Sequence, residues 1–481
     1  MFNISQMRRR DASPRLVLII VCAGVVLASV DLFIVNVALP DIARDLHARG
    51  LGGLSWVLNA YAIVYAALLV LLGRLADRYE RATGFLVGVA LFTAASAACA
   101  AAGSVGELVA FRVLQAAGAA LLTPTSLGLV LASAPPERRH GAVRAWTAVG
   151  GLAAALGPVA GGLLVALSWR WVFLVNVPIG LAALVVGARR LPVVPGHATR
   201  VPDPLGAALV TAGVALLTLG LVESDSWGWG TAATVAVLAG GAAVLALFAL
   251  RCARHENPLV DPALFARRSF SGASVVTLLF STAFGAMLLS IVLWEQRQWG
   301  WSALTTGLAI APGPLMVPLF SFLVAGRLIA RLGPARVIAA GSTVFATGVA
   351  SWALAATAQP DYAEVLGGMI MSGVGVGLTL PTLMATAAST LPAHAFATGS
   401  AVVNMLRQLG FALGVAALVA ILGAHGALHG PAALGEFRRA WALTAAVAAL
   451  GAPAALLLIA RRRRAGAAPA EPLAAALGER T

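Results

Sequence analysis

The chain has 481 residues, of which 60% are hydrophobic and only 11% are charged, and its mean hydropathy is +0.90. A soluble protein cannot bury so much apolar surface, so the composition excludes that class and indicates an α-helical protein with many membrane spans. The net charge of +14 would suit a nucleic-acid-binding protein, but the positions of the arginines give it another explanation.

Apolar runs of roughly 20 residues, the length needed to cross a bilayer as a helix, recur along the whole chain. With the N-terminus inside, most of the 33 basic residues fall in cytoplasmic segments, as the positive-inside rule describes. Topology and attraction to anionic lipid therefore account for the basic charge, leaving no role for nucleic acid. We expect a multi-pass protein of the cell (inner) membrane, with both termini cytoplasmic. Fourteen spans are predicted, at 16–39, 54–73, 83–102, 107–131, 142–166, 171–188, 205–223, 231–250, 270–294, 304–326, 335–357, 363–388, 397–424 and 440–460.

The two ends of the chain repeat one pattern. Gly73-Arg74-Leu75 follows the second span and Gly326-Arg327-Leu328 follows the tenth, and Gly157 and Gly410 in the fifth and thirteenth spans are separated by the same number of residues. Parallel repeats of this kind are a transporter architecture, with the substrate site between the halves. The predicted divisions are a cytoplasmic N-terminus at 1–15, a six-helix bundle at 16–188, a linker with two extra helices at 189–268, a second six-helix bundle at 269–460 and a basic cytoplasmic tail at 461–481.

Asp31 is a carboxylate inside the first apolar run, and it is the only acidic residue predicted at such a depth. An unpaired charge near the middle of a bilayer costs at least ~3 kcal/mol, so such a group is usually kept for what it binds, here a proton. Arg112 in the fourth span lies at a compatible depth and can pair with Asp31 if both helices face one cavity. This interpretation requires Asp31 to face water inside the bundle. A structural ion pair that locks the bundle is the alternative.

Other polar residues inside the spans are candidates for a substrate cavity. Gln115 lies one turn after Arg112 on the same helix face and can join its hydrogen-bond network. Asn404, Arg407 and Gln408 share one face of the thirteenth span, where lining a cavity and packing between helices are equally compatible with the pattern.

The inner loop after the second span combines Gly73, Asp77, Arg78 and Arg81 in a short turn. Gly73 permits close backbone approach, and Asp77 can pair with an arginine or sit at a helix N-terminus. Such contacts can latch one of two conformations and break in the other. The alternative is an ordinary solvated turn.

The fifth span contains the small residues Gly157, Gly161 and Gly162, together with Pro158. Small residues one turn apart let helices approach closely, and proline removes a helix hydrogen bond and bends the axis. Close packing explains most of this pattern, and a hinge or a leak-tight seal is the sharper alternative.

No cofactor is predicted. The three cysteines and seven histidines lack metal-ligand spacing, and no phosphate-binding Gly-Lys-Ser loop is present, so the chain is not expected to hydrolyse ATP by a P-loop. The proton expected to bind Asp31 makes a proton gradient the expected energy source. An enzyme acting on lipids, or a receptor, would need clustered carboxylates near one interface or a soluble sensor domain. Neither is apparent in the sequence.

At these residues the chain resembles the fourteen-helix drug:proton antiporter branch of the major facilitator superfamily, over essentially its whole length. The resemblance implies proton coupling through Asp31 and Arg112, a gating role for the inner loop, and an exporter signature in the fifth span. Asn36, in the first of the similar segments, joins the predicted cavity residues. The similar segments are 31–40 (Asp31, then Val-Asn-Val-Ala-Leu-Pro), 112–118 (Arg-Val-Leu-Gln-Ala-Ala-Gly), 157–162 (Gly-Pro-Val-Ala-Gly-Gly) and 169–180 (from Trp-Arg-Trp to Pro-Ile-Gly).

The predicted function is therefore export of hydrophobic or cationic small molecules, such as drugs, dyes and antibiotics, in exchange for protons. The expected partners are a small-molecule substrate, protons and the lipid bilayer, and the protein is expected to act as a monomer. Export of an endogenous metabolite or a self-made antibiotic on the same fold is the alternative.

Overall fold

A computed structural model describes residues 13–48, 50–135, 138–194, 203–389, 391, 396–423 and 431–459. These residues form helices joined by short connections, with no strand among them. Most of the predicted cytoplasmic N-terminus and the whole predicted tail lie outside the described residues. The long helices are α1 Pro14–Asp45, α2 Leu51–Arg78, α3 Arg81–Ala101, α4 Val105–Ser133, α5 Arg139–Val165, α6 Trp171–Arg190, α7 Pro204–Val222, α8 Ala232–Arg254, α9 Arg268–Gln298, α10 Ala303–Leu332, α11 Pro334–Ala355, α12 Tyr362–Ser389, α13 Phe396–Gly423 and α14 Pro431–Leu458.

Each predicted span corresponds to one of these helices. Thirteen helices in the described part of the chain are long and apolar enough to cross a membrane. The remaining one is α5, whose described apolar stretch is shorter, at Leu156–Val165. The chain is thus an all-α, multi-pass membrane protein.

Several helices begin at a side chain that satisfies a free backbone N–H group. Ser13 accepts from the N–H of Leu16, Ser104 accepts from that of Glu107, and Thr231 accepts from that of Thr234. Proline occupies the first turn of α1, α7 and α11, where a missing N–H costs nothing. Because an apolar bilayer offers no partner for backbone groups, continuous helices with satisfied ends are the expected form of this sequence.

The helices form two six-helix bundles with the same internal packing. In the first bundle α1 packs on α5 and α6, α3 packs on α4 and α6, and α2 packs on α4. In the second bundle α9 packs on α13 and α14, α11 packs on α12 and α14, and α10 packs on α12. Each pair in one bundle has its counterpart eight helices later in the other. The internal repeat in the sequence therefore corresponds to two similarly packed halves.

The two halves meet along two helix pairs related by the same correspondence, α2 with α13 and α5 with α10. The two additional helices, α7 and α8, pack on each other, and α7 contacts both α2 and α13. One additional helix thus lies beside the interface between the halves.

An ion pair between a partly exposed arginine and a buried aspartate joins the beginning of α7 to the end of α8. Arg251 donates from Nε and Nη2 to the two carboxylate oxygens of Asp203, at 2.6 and 2.9 Å. Burial by itself raises the pKa of the Asp203 carboxyl, but the hydrogen bonds from Arg251 and from the Gly206 backbone, with the charge of Arg251, outweigh it and hold the pKa below its usual range. The pair therefore stabilises the two helices at neutral pH.

We expect Asp203→Asn to lower the melting temperature at neutral pH, since hydrogen bonds to charged groups contribute about 1.5–3 kcal/mol. The Asp203 carboxyl has a lower pKa in the folded state than in the unfolded state, so its contribution to stability is fully present at neutral pH. That contribution decreases as the pH falls below about 4, the ordinary pKa of aspartate, and is lost once the pH is below the folded-state pKa. Thermal unfolding in detergent at several pH values measures the difference. Equal melting temperatures at neutral pH would contradict the prediction.

Candidate functional site

Asp31 and Arg112 form an ion pair between α1 and α4. Arg112 Nη1 donates to Asp31 Oδ2, and both side chains are fully buried. The same nitrogen donates to Gln115 Oε1 at 2.6 Å, and Gln115 Nε2 donates to Asp31 Oδ1 at 2.8 Å. The structure thus brings together three residues that sequence reasoning had placed at one depth.

Further contacts fix the position of the Arg112 guanidinium. Its Nε donates to the backbone oxygen of Val57 on α2 at 3.1 Å. Its central carbon lies 4.1 Å from the ring centroid of Tyr61 and 5.9 Å from that of Phe173. A cation over an aromatic ring in a desolvated site gains about 2 kcal/mol. The Nη2 atom has no hydrogen-bond partner among the described residues.

Two residues with no predicted role complete the network. Gln115 Nε2 donates to Ser96 Oγ on α3 at 2.8 Å, and Asn176 Nδ2 on α6 lies 3.5 Å from Asp31 Oδ1 and 3.4 Å from Ser96 Oγ. Asn176 lies in the Trp-Arg-Trp segment that resembles the antiporters, which was the only signal for it. Ser96 lies in a run of alanines that gives no such signal.

The expectation that Asp31 faces water is wrong for this conformation, because its side chain is fully buried. Side chains from α4 and α6 donate to the carboxylate, and Ser96 of α3 holds two of those donors, Gln115 and Asn176. A buried charge without such partners would be strongly disfavoured, whereas this one is paired and hydrogen bonded. Exchange of a proton with water therefore requires a second conformation in which the network opens.

Asn36 does not line an open cavity in this conformation, since it is fully buried. Its Nδ2 donates to the backbone oxygen of Leu32 one turn earlier, at 3.0 Å, while its Oδ1 atom has no partner among the described residues. An unsatisfied buried acceptor of this kind is free to receive a donor from another group.

The polar patch of α13 does not bond to the Asp31 network in the described structure. Asn404 Nδ2 donates to the backbone oxygen of Ser400 at 3.2 Å, and Gln408 is buried. Arg407 is partly buried, close enough to Tyr65 on α2 to interact electrostatically, and forms no ion pair within the described residues. Within the described residues this arginine therefore has no acidic partner where the two halves meet.

The glycines of α5 contact two different helices. A Cβ atom on Gly157 would lie 2.7 Å from Phe33 Cβ, and one on Gly161 would lie 3.1 Å from the backbone oxygen of Ile34, so both pack on α1. A Cβ atom on Gly162 would lie 2.7 Å from the backbone oxygen of Ala303 on α10, in the opposite half. The small residues therefore permit close packing on both sides.

Pro158 belongs to the same contact across the interface. Its backbone oxygen packs directly against Gly307 of α10. The α5–α10 pair is thus in backbone contact at its predicted outer end. The geometry accounts for both interpretations of the motif, close packing and a seal between the halves.

The inner loop is only partly described, since the side chain of Asp77 lies outside the described residues. Gly73 packs against Pro124 of α4, and the side chain of Arg78 is exposed. Arg81 begins α3, where its backbone N–H bonds to the Val194 oxygen at 3.1 Å and its Nη1 lies 3.5 Å from the Gly128 oxygen. The gating role of these residues stays a prediction.

Arg74, in the same motif, was not predicted as a site residue. It donates to the side chain of Asn257, and to the backbone oxygen of Pro258 at 2.7 Å. The cytoplasmic end of α2, as predicted, is thereby tied to the segment that follows α8.

We expect Arg112→Gln to destabilise the protein strongly, because breaking a buried pair by removing one partner costs about 3–5 kcal/mol. The double variant Asp31→Asn/Arg112→Gln removes both charges and should melt closer to the wild type than Arg112→Gln does. Thermal unfolding in detergent compares the three proteins. If the double variant melts as low as the single one, the ion pair does not dominate the stability of the network.

The fold and this site define a multi-pass transporter with a buried charge network inside its first bundle. The model of the Major Facilitator Superfamily matches residues 21–415, and the chain belongs to that family. It is 34% identical to a "Tetracenomycin C resistance and export protein" of Streptomyces glaucescens, over 83% of this chain and 74% of that protein. It is 36% identical to a puromycin resistance protein of Streptomyces alboniger, over 83% of this chain and 80% of the relative.

A solved structure supports the same fold. The crystal structure of an auto-inhibited peptide transporter of the POT family aligns with a TM-score of 0.67 at 19% identity, covering 93% of this chain and 97% of the other. At that level of identity the likeness concerns the fold alone. The protein is therefore a major facilitator whose relatives in sequence are drug and antibiotic resistance and export transporters.

Proposed function

We propose that the protein exports hydrophobic or cationic small molecules, including drugs, dyes and antibiotics, in exchange for protons by alternating access. The observation that carries this proposal is the fully buried network of Asp31, Arg112 and Gln115 within the first bundle. A titratable carboxylate retained at that depth in a transporter fold is best explained by a proton that it binds and releases. The resistance and export relatives support the direction and class of transport.

The network suggests how a proton is coupled to the conformational change. In the described conformation the donors of Arg112, Gln115 and Asn176 stabilise an ionised Asp31. If movement of the halves withdraws these donors and admits water, the carboxyl takes up a proton. Binding of a substrate biases that equilibrium only to the extent that it prefers one conformation. Arg112 thus acts as the modulator of Asp31.

Polar residues of both halves form the proposed substrate cavity, and two motifs close it. The substrate cavity opens between the halves, lined by Asn36, Asn404, Arg407 and Gln408 and bordered by Gln115. The inner loop with Gly73, Asp77, Arg78 and Arg81 latches one conformation, and the glycines of α5 with Pro158 seal another. The halves extend over 16–188 and 269–460. The protein carries out no covalent chemistry and works as a monomer in the cell (inner) membrane, with both termini cytoplasmic.

Export of an endogenous metabolite or a self-made antibiotic is the second candidate. It is favoured by one of the similar proteins, which is named for both resistance to and export of tetracenomycin C. The two candidates share the proton-coupling residues and differ in cargo. A biosynthetic cluster beside the coding sequence favours the second, and a drug-responsive repressor favours the first.

Everted vesicles from an efflux-deficient host test the proposal directly. Vesicles with and without the protein are energised to acidify their interior, and uptake of ethidium, puromycin and a polycyclic antibiotic is followed. We expect uptake of at least one compound that stops when an ionophore collapses the proton gradient. Uptake that survives collapse of the gradient would overturn proton exchange, and absence of uptake for a broad panel would overturn drug export.

A further inference from the structure

Besides Asp31 and Asp203, a third carboxylate is buried, at the predicted outer end of the interface between the halves. Glu295 lies on a π-helical turn, Trp294–Gln298, that ends α9, and its exposed fraction is zero. Neither of its carboxylate oxygens has a hydrogen-bond partner among the described residues. The ninth predicted span ended one residue before it, so sequence reasoning had placed this group in a loop. Asp31 is therefore not the only deeply buried acid.

No neighbouring charge compensates Glu295 in the described structure. Tyr362 of α12 is close enough to interact electrostatically, but its hydroxyl donates to the Ala309 oxygen at 2.9 Å. The other charged groups on the adjacent helix ends have their own contacts or form no ion pair with it. Asp41 pairs with Arg44, Asp45 with Arg170, Glu364 with Thr357, Glu436 with Arg439 and Arg438 with the Ala356 oxygen. Arg297, on the same turn as Glu295, forms no ion pair within the described residues.

An ionised carboxylate that is buried without a donor is strongly unfavourable, and such a group becomes neutral instead. Both oxygens of Glu295 are shielded from solvent and accept no hydrogen bond from the described residues, so we expect the carboxyl to carry a proton in this conformation. The nearby Gln298 Oε1 and Trp294 Nε1 atoms are also buried without partners. Nothing in the described surroundings therefore holds Glu295 as an anion.

The turn that carries Glu295 also joins the two halves. The next residue, Gln296, donates from Nε2 to the backbone oxygen of Val37 on α1 at 3.0 Å. The backbone oxygen of Glu295 itself accepts from the N–H of Trp301, which fixes the turn against the beginning of α10. Any separation of α1 from α9 at this end would break the Gln296 bond and loosen the turn around the carboxyl.

We propose that Glu295 is a second proton-binding carboxylate, which must be neutral before the predicted outer end of the interface can close. When this end opens, water reaches the carboxyl and it ionises, and the charge then opposes closure. Protons from outside neutralise it and permit the return to the conformation described here. This inference rests on the proposed proton exchange and adds a gate to it in the second half.

Accessibility of Val37 tests the proposal without any transported substrate. Val37 is buried, so Val37→Cys, in a chain whose three native cysteines are replaced by alanine, reports opening of this end. Intact cells are treated with a membrane-impermeant thiol reagent across a range of external pH. Labelling at each pH is divided by that of the denatured protein, because the reactive thiolate itself becomes more abundant as the pH rises. We expect labelling to rise with pH when Glu295 is present, because ionisation favours the open form. In Glu295→Gln the labelling should be low and independent of pH.

Two further variants test whether the pH dependence belongs to the Glu295 carboxyl. Glu295→Leu also lacks a titratable group, so it should reproduce the loss of pH dependence if Glu295→Gln folds poorly. Asp261→Asn, which changes an exposed carboxylate outside the interface, should retain the pH dependence. If labelling of Glu295→Gln follows pH as in the parent, or if the parent shows no pH dependence, the proposal is overturned. The labelling depends on no exported compound, so it can fail or succeed independently of the transport assay.

Discussion

Asp31→Asn is expected to abolish proton-driven export while leaving downhill substrate exchange intact. Asparagine has nearly the same size and can still accept a hydrogen bond from Gln115 or Asn176, but it can neither carry a proton nor neutralise Arg112. Uptake into everted vesicles with an acidic interior should fall to the level of vesicles without the protein. Counterflow of labelled against unlabelled compound, which needs no proton movement, should continue.

The matched control is Asp261→Asn. Asp261 is exposed, and its Oδ1 accepts from the Ala263 N–H, a bond that asparagine preserves. This variant should transport like the wild type. Export by Asp31→Asn that still depends on the proton gradient would remove Asp31 from the coupling mechanism. Loss of counterflow together with export would instead favour the structural ion pair, because then binding or the conformational change itself depends on the carboxylate.

The fold was predictable because each long apolar run can satisfy its backbone only as a helix when it lies in a bilayer. The repeat of Gly73-Arg74-Leu75 at Gly326-Arg327-Leu328 further indicated two halves, and the helix contacts show the same packing in each. The boundaries were less predictable. The ninth span extends past 294 because its last turn continues as a π-helix, which hydropathy alone does not reveal.

The charged members of the network were predictable because charges are rare in apolar runs. Ser96 and Tyr61 were not, since a serine among alanines or a tyrosine in an apolar helix has many roles, and only tertiary packing brings them to Arg112 and Gln115. The burial of Asp31 could not be predicted either. Its exposure depends on how α3 and α6 pack around it in one conformation, which no local pattern encodes.

The contacts of the α5 glycines could also not be predicted in full. Small residues indicated close packing, but the sequence did not show that Gly157 and Gly161 face α1 while Gly162 faces α10 in the other half. That division matters because a contact within one half persists as the halves move, whereas a contact between halves exists only when they are closed.

Gly162→Ala is therefore expected to open the predicted outer end of the interface. The added methyl group would lie 2.7 Å from the Ala303 oxygen and 2.8 Å from Leu304 Cα, both backbone atoms of α10 that cannot rotate away. Overpacking of this kind costs about 1–3 kcal/mol. Since only the closed form is affected, the equilibrium should shift toward the open form by roughly five- to 140-fold, at 1.4 kcal/mol for each factor of ten.

Labelling of Val37→Cys by an impermeant thiol reagent measures that shift, and uphill export should fall with it. Gly106→Ala is the matched control, since a Cβ atom there meets nothing within 4 Å. The result also decides between the two interpretations of the motif. If the motif is a seal between the halves, Gly162→Ala should be labelled more than its parent, because the added methyl group destabilises only the closed conformation. Close packing without a seal requires a lower melting temperature with unchanged labelling, because the cost then falls on every folded conformation alike.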